Sequence, residues 1–201
     1  MSSLYEIKPA FQRLLRPLCA ALHRAGATPN QITAVTMAAS LGMGVWLSVA
    51  QDPTPPLAVM PVFLLLRMAA NALDGMIAKA YDLSTPAGAI LNEVADVVSD
   101  LALYSPFAVL PGIRPMFPLA IAMLGATTEV AGLAAVSAGA ARRHDGPMGK
   151  SDRALAFGIL SVAYVAGLRS HVVLDACMAG IIALLVITLV NRCRRAVREA
   201  S

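Results

Sequence analysis

Six long apolar stretches occupy most of this chain, and lipid offers no partner for a free N–H or C=O, so a stretch that crosses a bilayer must do so as a helix. They run at about residues 31–50, 56–78, 87–110, 116–138, 154–168 and 172–190, most of them near the ~20 residues that a spanning helix needs. The connectors between them are QDPTPP, KAYDLSTP, PGIRP, ARRHDGPMGKSDR and LRSH, which carry helix breakers and charge. Only 14% of the 201 residues are charged and 58% are hydrophobic, whereas soluble domains carry about 25% charge. The predicted fold is therefore an all-α integral membrane protein. Ahead of the first span, Leu4, Ile7, Phe11, Leu14, Leu15, Leu18 and Leu22 recur at helical spacing with Lys8, Gln12, Arg13 and Arg16 between them. That pattern predicts an amphipathic helix lying on the membrane surface, bent or broken by Pro9 and Pro17. The expected organisation is one domain: residues 1–27 as interfacial helix and linker, 28–191 as a six-helix core, and 192–201 as a basic tail.

An even number of spans puts both ends of the chain on one side. Lys8, Arg13, Arg16, Arg24, Lys79, Arg142, Arg143, Lys150, Arg153, Arg192, Arg194, Arg195 and Arg198 fall on that side. The other side carries Arg114 and Arg169, and Arg67 lies within a span, which accounts for all 16 basic residues. The positive-inside rule then predicts cytoplasmic termini in a cell membrane. A basic face beside anionic phospholipid accounts for the net charge of +4 without a nucleic acid partner. The amino terminus lacks the pattern of a cleavable signal. Cys19, Cys177 and Cys193 are scattered and lack metal-site spacing, so they are expected to be packing residues.

Within this apolar frame the second and third spans carry acids. Asn71, Asp74, Gly75 and Ala78 share one helical face, and Gly88, Asn92, Asp96 and Asp100 share another. A short connector makes the two helices antiparallel, so the faces can oppose each other. At ~1.5 Å rise per residue, Asp74 lies ~8 Å and Asp96 ~15 Å from the cytoplasmic ends of their helices. Ionised carboxylates at that depth require a wet cavity, a cation or a metal, and oxygen ligands from facing helices suit Mg²⁺, Mn²⁺ or Ca²⁺ rather than zinc. Small-residue packing accounts for Gly75, Ala78 and Gly88, but not for the acids and amides interleaved with them. Arg67 and Asp100 fall at similar depths, ~18 and ~21 Å, and are expected to form an intramembrane ion pair. Glu93 beside the site and Glu129 at ~16 Å are further acids that could ligate a cation or line the cavity wall. Arg142, Arg143, Lys150 and Arg153 form a basic loop able to hold a phosphate group, although topology alone also predicts basic residues there.

The segment resembles the signature of the CDP-alcohol phosphotransferase family, D-x2-D-G-x2-A-R-x8-G-x3-D-x3-D. Its spacing is kept by Asn71, Asp74, Gly75, Ala78, Lys79, Gly88, Asn92 and Asp96. TPNQIT at Thr28 to Thr33 and GKSDRA at Gly149 to Ala154 also resemble family segments. The resemblance implies six spans after an amphipathic helix, a homodimer, and transfer of a substituted phosphate from a CDP-alcohol such as CDP-diacylglycerol to an acceptor alcohol, with release of CMP, in phospholipid synthesis. It implies Mg²⁺ or Mn²⁺ as cofactor, one or two ions. By position, Asn71, Asp74, Asn92 and Asp96 would be ligands, and Asp96 also the base that deprotonates the acceptor. Gly75, Ala78, Lys79 and Gly88 would border the CDP-alcohol, and Arg142, Arg143, Lys150 and Arg153 could hold a phosphorylated acceptor such as glycerol 3-phosphate. The chain departs from the signature in three places. Asn71 and Asn92 stand where the family has aspartates, and Lys79 where it has arginine. Amide oxygens ligate hard cations without charge, so these changes imply lower metal affinity or fewer ions. Two other functions fit the residues: a noncatalytic homologue that binds lipid or a partner synthase, and a small ion or proton transporter using the buried acids.

Overall fold

The computed structural model describes residues 8–143 and 145–200, and every regular element in them is helical. The order is α1 (Lys8–Arg24), α2 (Pro29–Val49), α3 (Thr54–Ala80), α4 (Pro86–Tyr104), a short 3-10 helix (Ser105–Val109), α5 (Met116–Ser137), α6 (Lys150–Val165) and α7 (His171–Ala200). Among the described residues, α2, α3, α5 and α7 are long and apolar enough to cross a membrane. The chain is thus a multi-pass membrane protein, with four such helices where six were predicted. The difference has a physical cause. Glu93, Asp96 and Asp100 interrupt the apolar character of α4, and α6 has only 16 residues.

The helix ends follow local chemistry. Thr28 caps α2 in a reciprocal box, its Oγ1 accepting from Gln31 N while Gln31 Oε1 accepts from Thr28 N. Thr85 caps α4 by accepting from Gly88 N at 3.0 Å. The predicted third span extends to residue 110, but α4 ends at Tyr104 and tightens into the 3-10 turn, where Pro106 has no N–H to continue an α-helix. The fifth predicted span starts at Ala154, yet α6 begins four residues earlier because Gly149 N donates to Asp152 Oδ2 at 2.9 Å and sets the first turn there. No separate structure marks residues 192–200, through which α7 continues. Helix α1 runs through Pro17 without a break, one of the two expected effects of that proline, and Pro9 falls in its first turn, where a missing N–H is tolerated. Leu4 and Ile7 lie outside the described residues.

Helix α1 lays Leu15 and Cys19 against Leu73 and Ile77 of α3, leaving Leu14 and Leu18 exposed. The remaining helices pack as α2 with α3 and α4, α3 with α6, α4 with α5, and α5 with α7. The apolar core occupies one end of the bundle. There Leu47, Leu57, Leu103, Phe157 and Leu174 are buried from five helices, and Phe157 stacks on Tyr104 and meets Phe107 edge-on. Close approach fixes this end. A Cβ on Gly44 would sit 2.1 Å from Ala102 O, so α2 meets the backbone of α4 only because residue 44 has no side chain. The outward faces expose Val45, Leu65, Val130 and Val186, as a lipid-facing surface requires. The opposite end of the bundle has polar side chains in its interior.

Candidate active site

At the polar end, the last turns of α3 face the first half of α4. Both Asp74 and Asp96 are buried, 6% and 7% exposed. Asn71 Nδ2 donates to Asp96 Oδ1 at 2.8 Å, joining the helices directly. Asp96 Oδ2 is engaged by Lys150 Nζ from the first turn of α6. Asp74 Oδ2 accepts from Thr33 Oγ1 of α2 at 2.7 Å, and its Oδ1 accepts from Gly75 N at 2.6 Å. Asn92 is half-buried one turn before Asp96. Four helices therefore contribute to the site. Thr33 was not singled out from sequence as a site residue, although it closes the TPNQIT segment.

Glycines shape the rim. A Cβ on Gly88 would come within 2.6 Å of Asn30 Oδ1, so the start of α4 lies tight against the start of α2. A Cβ on Gly75 would meet nothing within 4 Å, and this exposed position leaves the rim beside Asp74 open. Ala78 is half-buried and Lys79 exposed one turn further out.

Below the two carboxylates lies an ion-pair network more extensive than the predicted pair. Arg67 Nη1 is 2.8 Å from Asp100 Oδ1, and Nη2 is 3.8 Å from Asp96 Oδ1. Asp100 is shared. Its Oδ2 also accepts from Arg153 Nε and Nη2 at 3.0 and 2.7 Å. Arg153 Nη2 reaches Glu129 Oε1 at 3.2 Å, and Arg192 Nη1 lies 3.4 Å from Glu129 Oε2. Arg153 is 1% and Arg192 2% exposed. These two arginines correct the sequence reading, in which Arg153 belonged to a basic loop and Arg192 to a basic tail. Helical spacing carried the signal for both: Leu174, Met178, Ile181, Leu185, Thr188 and Arg192 fall on one buried stripe of α7, and Arg153, Phe157, Leu160 and Tyr164 on one of α6. Room for their guanidiniums comes from α5, where a Cβ on Gly125 would lie 3.3 Å from Arg153 Nε and one on Gly132 would lie 3.4 Å from Arg192 Nη1.

The other predicted residues also have partners. Arg142 forms a two-point ion pair with Glu93, and Arg143 pairs with Glu199 and lies 3.7 Å from Asp145. Each of Arg142, Arg143, Lys150 and Arg153 thus meets a carboxylate, and Glu93 and Glu129 meet arginines.

The donor chemistry suits one hard cation better than two. Asp74 and Asp96 supply charged oxygens, and Asn71 and Asn92 supply amide oxygens only. Because Asn71 presents its Nδ2 to Asp96, its Oδ1 is left to face another group. Among the described residues, no three of His, Cys, Asp and Glu gather as a metal cluster.

Comparison with known proteins gives a consistent picture. The family model for CDP-alcohol phosphatidyltransferases matches residues 27–190. Inner membrane protein YnbA of Escherichia coli (strain K12) is 42% identical over 193 residues, which cover 96% of this chain and 95% of that protein. The fold is similar to phosphatidylinositol phosphate synthase (PgsA1) of Mycobacterium tuberculosis with CDP-DAG bound, at a TM-score of 0.74 and 21% identity, covering 92% of this chain and 94% of the other. A second structure of that synthase, in complex with manganese and citrate, aligns at 0.73 and 21% identity over 90% and 87% of the two chains.

Proposed function

Because the chain belongs to the CDP-alcohol phosphatidyltransferase family, we propose that it transfers the substituted phosphate of a CDP-alcohol, CDP-diacylglycerol as the first candidate, to an acceptor alcohol and releases CMP. The observation that carries this reading is the burial of Asp74 and Asp96 on facing helices beside the exposed Gly75, with Asn71 bridging from one helix to Asp96 on the other. In the reaction, the acceptor oxygen forms a new bond to the phosphorus attached to the donor alcohol. The bond from that phosphorus to the CMP oxygen breaks, and the acceptor proton goes to Asp96. The hydrogen bond from Asn71 and the ion pair with Lys150 fix the rotamer of Asp96. Thr33 and Gly75 N do the same for Asp74. Asp74 and Asp96, with the amide oxygens of Asn71 and Asn92, would hold a Mg²⁺ or Mn²⁺ ion. When bound, the ion supplies charge neutralisation for the pyrophosphate and its leaving oxygen. Lys79 at the rim retains a cation for phosphate but without arginine's two-point fork.

On this reading α4 and α6 complete six spans. Their polar residues pair inside the bundle, so lipid meets only their apolar faces. The basic end is cytoplasmic, and lipid tails stay in the bilayer while nucleotide and acceptor arrive from water. Purified protein incubated with radiolabelled CDP-diacylglycerol, other CDP-alcohols, a panel of acceptors and Mg²⁺ or Mn²⁺ tests the proposal. CMP release dependent on acceptor and metal is expected. Folded protein that releases no CMP from any donor would favour the noncatalytic homologue, a reading supported by the loss of carboxylate at Asn71 and Asn92.

A further inference from the structure

The contact between Lys150 and Asp96 bears on how many ions the site holds. Lys150 opens α6, whose register is locked three residues later by Arg153, clamped between Asp100 and Glu129. Its ammonium group is therefore delivered to Asp96 by a rigid helix start rather than by a mobile loop. The charges around it balance. Buried Asp74, Asp96, Asp100 and Glu129 contribute four negative charges, and buried Arg67, Arg153 and Arg192 contribute three positive ones. Lys150 supplies the fourth. One divalent ion added to this neutral set brings two positive charges, which the two negative charges of a CDP-alcohol pyrophosphate offset. A second ion would leave two positive charges uncompensated in a low-dielectric site, and the carboxylates that would balance them are replaced by Asn71 and Asn92.

We propose that the Lys150 ammonium group stands in for a second divalent ion, so that this site binds one metal ion with Lys150 as its fixed counterpart on Asp96. The proposal rests on the transferase reading for the identity of the site. Its test is nevertheless a count of ions. Metal-stripped protein in detergent micelles containing CDP-diacylglycerol is titrated with Mn²⁺, with protein-free micelles of the same composition as the blank, and free ion is followed by electron paramagnetic resonance. The unaltered protein should bind one Mn²⁺ per chain. Lys150→Met combined with Asn71→Asp and Asn92→Asp should bind two. With Lys150 retained, the Asn71→Asp, Asn92→Asp variant should bind its second ion at least about tenfold more weakly than the triple variant. Two ions or none on the unaltered protein would overturn the proposal, as would a folded triple variant that binds only one, or a second ion indifferent to Lys150. If the triple variant does not fold, Lys150→Met alone decides: it frees Asp96 and should tighten the first Mn²⁺ by about tenfold, and unchanged affinity would overturn the idea. CMP release measured in parallel separates the two readings. One Mn²⁺ without CMP release removes the transferase and leaves the charge substitution standing, and CMP release with two Mn²⁺ does the reverse.

Discussion

At the scale of single residues, Asp96 and Asp100 lie one turn apart on α4 yet have different tasks. Asp96 reaches groups at the open end of the bundle, Asn71 and Lys150, whereas Asp100 is enclosed by Arg67 and Arg153. Asp96→Asn should abolish CMP release without unfolding the detergent-solubilised protein, since an amide of the same shape keeps the packing but accepts no proton. Turnover in that variant would remove Asp96 from catalysis. Asp74→Ala should fail by a different route, through lost Mn²⁺ binding, and a normal Mn²⁺ titration would count against its role as ligand. Asp100→Asn should chiefly cost stability. The nearest carboxylates left to the two buried guanidiniums are Asp96, 3.8 Å from Arg67, and Glu129, 3.2 Å from Arg153, a change worth about 3–5 kcal/mol. Adding Arg67→Met removes one stranded charge and should recover part of the lost thermal stability. If the double variant melts below Asp100→Asn, Arg67 is held by something other than Asp100. Depth along the helices is enough to pair Arg67 with Asp100 but does not show that Asp100 is shared, because Arg153 stands in the charged connector ARRHDGPMGKSDR.

At the scale of elements, apolar length located the helices well and their ends less well. The starts of α2 and α4 were legible because Thr28 and Thr85 precede prolines and cap through their hydroxyls. The start of α6 was not, since Lys150 to Arg153 read as loop charge when counted by residue type. Only the packing of Arg153 against Asp100, Glu129 and Gly125 makes that turn part of the bundle. The carboxylates that lower the hydropathy of α4 are matched by basic side chains from elsewhere in the chain, Glu93 by Arg142, Asp96 by Lys150 and Asp100 by Arg67 and Arg153. The placing of α4 depends on α2, and Gly44 is the point of contact. Gly44→Val would force a side chain into Ala102 O and push the two helices apart, a strain worth about 1–3 kcal/mol. The same displacement would separate Thr33 on α2 from the α3–α4 pair, so CMP release should fall along with the melting temperature. Gly42→Val is the control, since a Cβ there meets nothing within 4 Å. Equal losses in both variants would mean that the effect comes from helix propensity or lipid contact rather than from the α2–α4 approach.

At the scale of the whole molecule, the bundle divides into an apolar end that supplies cohesion and a polar end that holds the proposed site, and this division predicts how it sits in a membrane. Arg114 and Arg169 belong to the apolar end, where Arg114 pairs with Asp175 at 3.1 Å and Arg169 lies 3.6 Å over the Tyr164 ring. The polar end carries Lys79, Arg142, Arg143, Lys150, Arg194, Arg195 and Arg198. The charge asymmetry of the sequence is thus also an asymmetry of position relative to Asp74 and Asp96, and under the proposed function the positive-inside rule predicts a site on the cytoplasmic side. Cysteine accessibility offers a direct measurement. Cys193 is exposed on α7 near the polar end, and Ser170 is exposed between α6 and α7 at the other. With Cys19 and Cys177 replaced by serine, Cys193 should react with a membrane-impermeant maleimide in inverted vesicles and stay unlabelled in right-side-out ones. In a Cys193→Ser background, Ser170→Cys should show the opposite pattern. A reversed result would turn the site away from the cytoplasm, and a transferase so placed would be cut off from cytoplasmic nucleotide. Labelling from both sides at one position would mean that α7 does not hold a single orientation, and the division of the bundle into a cytoplasmic polar end and an opposite apolar end would then fail as a description of the protein in its membrane.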